Sequence, residues 1–196
     1  KKYNSKAGCN GSNVKRTNYR MIVDLLRHEE PLGGRRFRGL QDDPLTDKGW
    51  SQMLESTAGK SWDFIASSPL NRCSKFAKHL SSNTSTNHQI YEDLVEFNWG
   101  EWQGMSAEQI GFENLKQFKN DPINNRPKNS ENLYQFNNRI LSTFNKIIKQ
   151  NNNNLSILFI VHAGVIRVIK SHLLNLPLEE IFHIEVIAGS CERFEF

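Results

Sequence analysis

Two short apolar runs in this chain each end in a histidine, and that repetition constrains the fold more than any other feature. Met21 to Leu26 leads into Arg27-His28, and Leu155 to Val161 leads into His162-Ala163-Gly164. Runs this short, aliphatic and β-branched, read as strands buried on both faces. Such strands belong to parallel sheets, whose ladders need helical crossovers. The intervening sequence supplies them. Thr46, after Pro44, is placed to N-cap a helix in which Trp50, Met53 and Leu54 recur at spacings of three and four. Asp63 to Ser67 reads as a second strand, running into Ser68-Pro69 and a helix that carries Arg72. A third strand is expected around Gln89 to Tyr91. Ser130 is expected to open the clearest helix, with Leu133, Phe136, Ile140, Leu141, Phe144, Ile147 and Ile148 on one face. A helix over about Val165 to Leu174, a short one near Glu179 and strands near Ile184 and Arg193 complete the pattern. The alternation predicts an α/β fold, with a mostly parallel central sheet and helices on both faces. Residues 21–196 are expected to form one domain, with residues of about 91–127 inserted as a small helical and loop lid over the strand ends.

Charge narrows the function. The chain has 25 Lys and Arg against 21 Asp and Glu, but residues 1–20 hold six cations (Lys1, Lys2, Lys6, Lys15, Arg16 and Arg20) and no acid. The other 176 residues carry 19 cations and 21 anions, so the basicity belongs to a polar leader, expected to be loosely packed and dispensable. No basic helix or interleaved aromatic strip supports nucleic-acid binding. No apolar run approaches the roughly 18 residues of a membrane span. Three scattered cysteines, Cys9, Cys73 and Cys191, lack metal-site or disulfide-scaffold spacing. A reducing, cytoplasmic setting is expected.

In open α/β sheets ligands bind beyond the carboxyl ends of the strands. Here that rim receives His28 and His162 directly, with Arg27, Arg72 and Glu96 close by in sequence. Two permanent cations, two imidazoles and one acid suit a phosphate monoester. Each residue alone has a plainer reading, as a structural histidine, a turn cap or a surface ion pair. Together they resemble a known family. Arg27-His28 after an apolar strand, Ser67-Ser68-Pro69-Leu70 with Arg72, Leu94 with Glu96 and Gly100, and Val161-His162-Ala163-Gly164 are similar to the motifs of the histidine phosphatase (phosphoglycerate mutase-like) superfamily. Residues 25–50 are most similar to its α-ribazole phosphatase branch, whose members remove a phosphate late in cobalamin assembly.

The resemblance implies a phosphohistidine mechanism. His28 would be the nucleophile, Arg27, Arg72 and His162 would hold the phosphoryl oxygens, and Glu96 would protonate the leaving oxygen and then activate water. It implies no metal and no cofactor, with a small-molecule phosphate monoester as partner. Arg35, Arg36 and Arg38 either contact the rest of the substrate or form a solvated basic loop. Trp99 and Trp102 either stack on an aromatic leaving group or pack in the core. One departure stands out. Glu29 follows His28 where the family usually has Gly, which leaves open a pseudo-phosphatase that binds without turnover. Phosphatase or mutase action on other small esters is the other alternative.

Overall fold

In the computed structural model, which describes residues 20–151 and 156–196, a single five-stranded sheet organises the chain. Its strands are β1 (Ile22–Arg27), β2 (Phe64–Ser67), β3 (Asn87–Ile90), β4 (Ser156–Val161) and β5 (Cys191–Glu195), in the order β3-β2-β4-β1-β5. All neighbours are parallel except β5, which runs antiparallel along β1. The central pair β1 and β4 is in register from Ile22 opposite Ser156 to Arg27 opposite Val161. The expected leader, apart from Arg20, and most of the polar turn before β4 lie outside the described residues. Among the described residues no helix is long and apolar enough to cross a membrane.

Alternation along the strands feeds two cores. Val23, Leu25, Ile157, Phe159 and Val161 point to one face, where α5 (Leu133–Gln150) and α6 (Ala163–Leu173) cover them. Leu26, Ile65, Leu158 and Ile160 point to the other, under α1 (Asp47–Thr57) and α2 (Asn71–Thr84). Asp24 is the buried polar exception inside β1, whose last residue is Arg27. It accepts Trp62 Nε1 at 2.6 Å and is bridged by Arg193 at 3.0 and 2.9 Å. Residues 91–127 carry two 3-10 turns, Glu92–Leu94 and Gly100–Trp102, then helices α3 (Ala107–Ile110) and α4 (Phe112–Asn120).

Three local expectations are corrected. Asn132, not Ser130, caps α5: its Oδ1 accepts Tyr134 N–H at 2.9 Å, whereas Ser130 Oγ donates to Pro127 O at 2.6 Å. The third strand begins earlier, at Asn87, and ends at Ile90. No strand forms at Ile184. A 3-10 turn, Leu178–His183, precedes it, and the carbonyls of Ile184 and Val186 accept guanidinium N–H groups in place of a ladder.

Candidate active site

Parallel pairing brings the motif residues to one rim. His28 follows β1 and donates its backbone N–H to Val161 O at 3.1 Å, while His162 follows β4. Their rings meet edge to face, with centroids 5.1 Å apart. Ser68, beyond β2, donates its N–H to Ile160 O at 3.2 Å, and Arg72 enters from the first turn of α2.

Hydrogen bonds fix the state of His28. Its Nδ1 lies 2.8 Å from Glu29 O, a carbonyl that only accepts, so Nδ1 carries the proton. Nε2 therefore holds the lone pair, and Arg72 Nε donates to it at 3.3 Å. Burial, reinforced by Arg72, pushes the imidazole down to about 3, so the ring is neutral over the physiological range. His162 is wholly buried, with Nε2 2.7 Å from Ser68 Oγ. Burial, then Arg72 and His28, hold its pKa well below the usual histidine value.

The two arginines are held differently. Arg72 is buried, its terminal nitrogens donating to Gln41 O and, at 2.9 Å, to Gly39 O. Arg27 Nη1 donates to Val186 O at 2.6 Å, but its Nε is buried without a hydrogen-bond partner among the described residues. A buried, unpaired N–H is costly, and it is a socket for an acceptor.

Glu96 is set against the start of α6. Its Oε1 accepts Phe97 N–H at 2.8 Å and its Oε2 accepts Gly164 N–H at 3.1 Å. A Cβ on Gly164 would collide with Oε1, so glycine there makes room for the carboxylate. Arg139 staples the loop behind it. Its guanidinium pairs with Glu131 at 2.6 and 2.9 Å and donates to Val95 O at 2.9 Å and Glu96 O at 3.2 Å.

The basic loop divides three ways. Arg38 is buried and turned inward, donating to Asp43 at 2.9 Å and to Leu32 O and Gly34 O at 2.6 Å each. Arg36 donates to Gly33 O and Gly104 O at 2.9 Å each. Arg35 is exposed. Trp99 is buried in a ring cluster, 4.9 Å from Phe37 and 5.4 Å from Phe118, while Trp102 is half-buried.

Sequence reasoning missed Arg167. It sits one turn after Gly164 on α6, and its Nε donates to Ile184 O at 2.9 Å. A lone cation in the first two turns of a helix that opens at His162 was the available signal. Arg167 also lines a cavity of about 640 Å³ with Trp99, Phe118, Phe182, Lys116 and Lys119. That volume is in the range of small-molecule sites.

Two neutral imidazoles, paired guanidiniums and a carboxylate at the strand ends of a mostly parallel sheet define a class, the α/β proteins built to meet phosphoryl groups. Residues 23–196 match the family model of the histidine phosphatase superfamily, branch 1, and the chain belongs to that superfamily. It is 27% identical over 177 residues to the adenosylcobalamin/α-ribazole phosphatase of Escherichia coli (strain K12), covering 86% of this chain and 87% of that protein. It is 25% identical over 173 residues to a protein of Hydrogenobacter thermophilus (strain DSM 6534 / IAM 12695 / TK-6) assigned as phosphoserine phosphatase 2, with 83% of each covered. A solved structure from E. coli K-12, assigned as an α-ribazole-5′-P phosphatase, superposes with a TM-score of 0.76 at 25% identity, over 89% of this chain and 90% of that one.

Proposed function

We propose that the chain is a phosphomonoesterase that works through a phosphohistidine at His28, with α-ribazole 5′-phosphate or a phosphorylated cobalamin precursor as its substrate. One observation carries the chemistry: an unprotonated His28 Nε2 stands beside Arg72 Nε, in a pocket where Arg27 Nε has no hydrogen-bond partner among the described residues. A phosphoryl oxygen satisfies that N–H, and Arg27, Arg72 and His162 hold the group for in-line attack. The Nε2 lone pair forms the P–N bond as the ester P–O bond breaks, and Glu96 gives its proton to the departing oxygen. Glu96 then takes a proton from water, whose oxygen attacks phosphorus; the P–N bond breaks and its electron pair returns to Nε2. The segment 91–127 encloses this step as a lid. The substrate assignment is supported by residues 25–50 and by the α-ribazole phosphatase relative.

Turnover of p-nitrophenyl phosphate in EDTA tests the reaction, and a panel of esters ranks the substrates. His28→Ala is expected to abolish both hydrolysis and the acid-labile, base-stable ³²P label. Wild-type turnover in that variant would sink the mechanism. A phosphoserine preference over α-ribazole 5′-phosphate would overturn the substrate assignment alone.

A further inference from the structure

The cavity beside Arg167 has two kinds of wall. Its floor is aromatic and rigid, with Trp99, Phe118 and Phe182 in mutual ring contact; Phe118 and Phe182 lie 4.6 Å apart. Its other side carries Arg167, Lys116 and Lys119, and no Asp or Glu among the described residues lines it. The lysines are exposed and Arg167 is half-buried. Arg167 spends only Nε on the protein, so its two terminal nitrogens make no hydrogen bond among the described residues. Arg167 links the cavity to the chemistry, although none of His28, Arg27, Arg72, Glu96 and His162 lines it. Glu96 Oε2 is bonded to Gly164 N, one helical turn from Arg167, and Trp99 stands three residues beyond Glu96. Burial lowers the Arg167 pKa while Glu96 opposes the shift, which marks a desolvated cation near the acid.

We propose that this cavity receives the alcohol half of the substrate, and that Arg167, Lys116 and Lys119 select an alcohol bearing a second anionic group next to a flat apolar ring. The aromatic floor supplies a face for the ring. Arg167 supplies a planar fork for an anion, with the two lysines as point charges at the mouth. The inference rests on the phosphatase reading, and it goes further by specifying charge on the leaving group. α-Ribazole itself is uncharged, so of the two proposed substrates it favours the phosphorylated cobalamin precursor, whose alcohol carries a phosphodiester.

Two esters with phenols of nearly equal acidity separate the ideas: p-tolyl phosphate and p-(carboxymethyl)phenyl phosphate. The charged ester is expected to have about tenfold higher kcat/KM at low salt, carried mainly by KM. Arg167→Gln and the double variant Lys116→Gln/Lys119→Gln should each pull that ratio toward one, and Arg167→Lys should restore part of it. A ratio near one in the wild type, or a ratio unchanged in both variants, overturns the proposal. An equal loss for both esters in Arg167→Gln would mean that Arg167 positions Glu96 instead. If neither ester is hydrolysed, the phosphatase reading fails separately. Calorimetric affinities of the two esters for the His28→Ala protein then decide the cavity: tighter binding of the charged ester supports it, and equal binding overturns it.

Discussion

Glu29 follows His28 and brings a negative charge beside a pocket shaped for a dianion. Its Oε2 accepts Glu30 N–H at 3.0 Å and its Oε1 packs against Gly189. No arginine of the 35–38 loop pairs with it: Arg38 is taken by Asp43 and Arg36 by two carbonyls, and Arg35 stays exposed. Glu29 instead lies near enough to Arg27 to favour its charged form. Two like charges about 6 Å apart at an effective dielectric near 20 repel by roughly 3 kcal/mol, an upper figure before solvent screening. Glu29→Gln keeps the shape and removes the charge. It is expected to raise kcat/KM for small esters by about three- to tenfold at low salt, with the gain shrinking as salt rises. A salt-independent or absent gain in steady-state kinetics would refute the repulsion. Glu96→Gln removes the proton donor instead, so alkyl phosphates should suffer more than p-nitrophenyl phosphate, by about 10²-fold or more. Rapid-quench measurement of phosphohistidine formation checks this, and equal losses for good and poor leaving groups would exclude Glu96 as the acid.

The helices place these side chains through their first turns, and two substitutions test that. Gly164→Ala suits a helix, since Ala is favoured over Gly by about 1 kcal/mol. Its Cβ would meet the flexible end of Glu96, which must swing away, and the buried Phe136 ring at 3.2 Å, which must give by a few tenths of an ångström. The melting temperature should therefore change little while activity falls by about 10²-fold or more. Retained activity would show that Glu96 need not occupy the α6 terminus. Thr46 caps α1, accepting Gly49 N–H at 2.9 Å and donating to Glu30 O at 3.2 Å. Thr46→Ala should cost about 1 kcal/mol in denaturant unfolding. Both helix starts were legible in sequence, Thr46 as a cap and Gly164 as part of a motif. So were the strands β1, β2 and β4, because each is a short apolar run buried on both faces. What stayed hidden depends on contacts distant in sequence. Arg27 and Val186 are 159 residues apart, and Arg139 reaches Val95 across 44. Ile184 looked like a strand because it is apolar, yet its carbonyl partner is a guanidinium. The Ser130 misreading had a nearer cause: Ser and Asn are comparable caps, and only the loop geometry selects Asn132.

Across the whole molecule, gathering cations and imidazoles at one buried rim makes folding depend on pH. His28 and His162 are both held neutral, His28 down to about 3 and His162 well below the usual 6.5, by burial and by Arg72. The sign follows from proton counts. Below about 6.5 the unfolded chain binds protons at both positions, whereas the folded chain refuses them, so the unfolded state holds more protons. Stability therefore falls as pH drops through this window, and above about pH 7 the two histidines contribute no slope. Near pH 5 the unfolded imidazoles are almost fully charged, so each such histidine contributes about 1.3 kcal/mol of lost stability per pH unit. His28→Asn, which cannot titrate, is expected to remove about that much slope from the unfolding free energy between about pH 6 and about pH 4.5. Urea titrations across that range read it directly. An unchanged slope would mean that His28 accepts a proton in the folded protein. Its Nε2 would then lose, at acid pH, the free lone pair that attack on phosphorus needs.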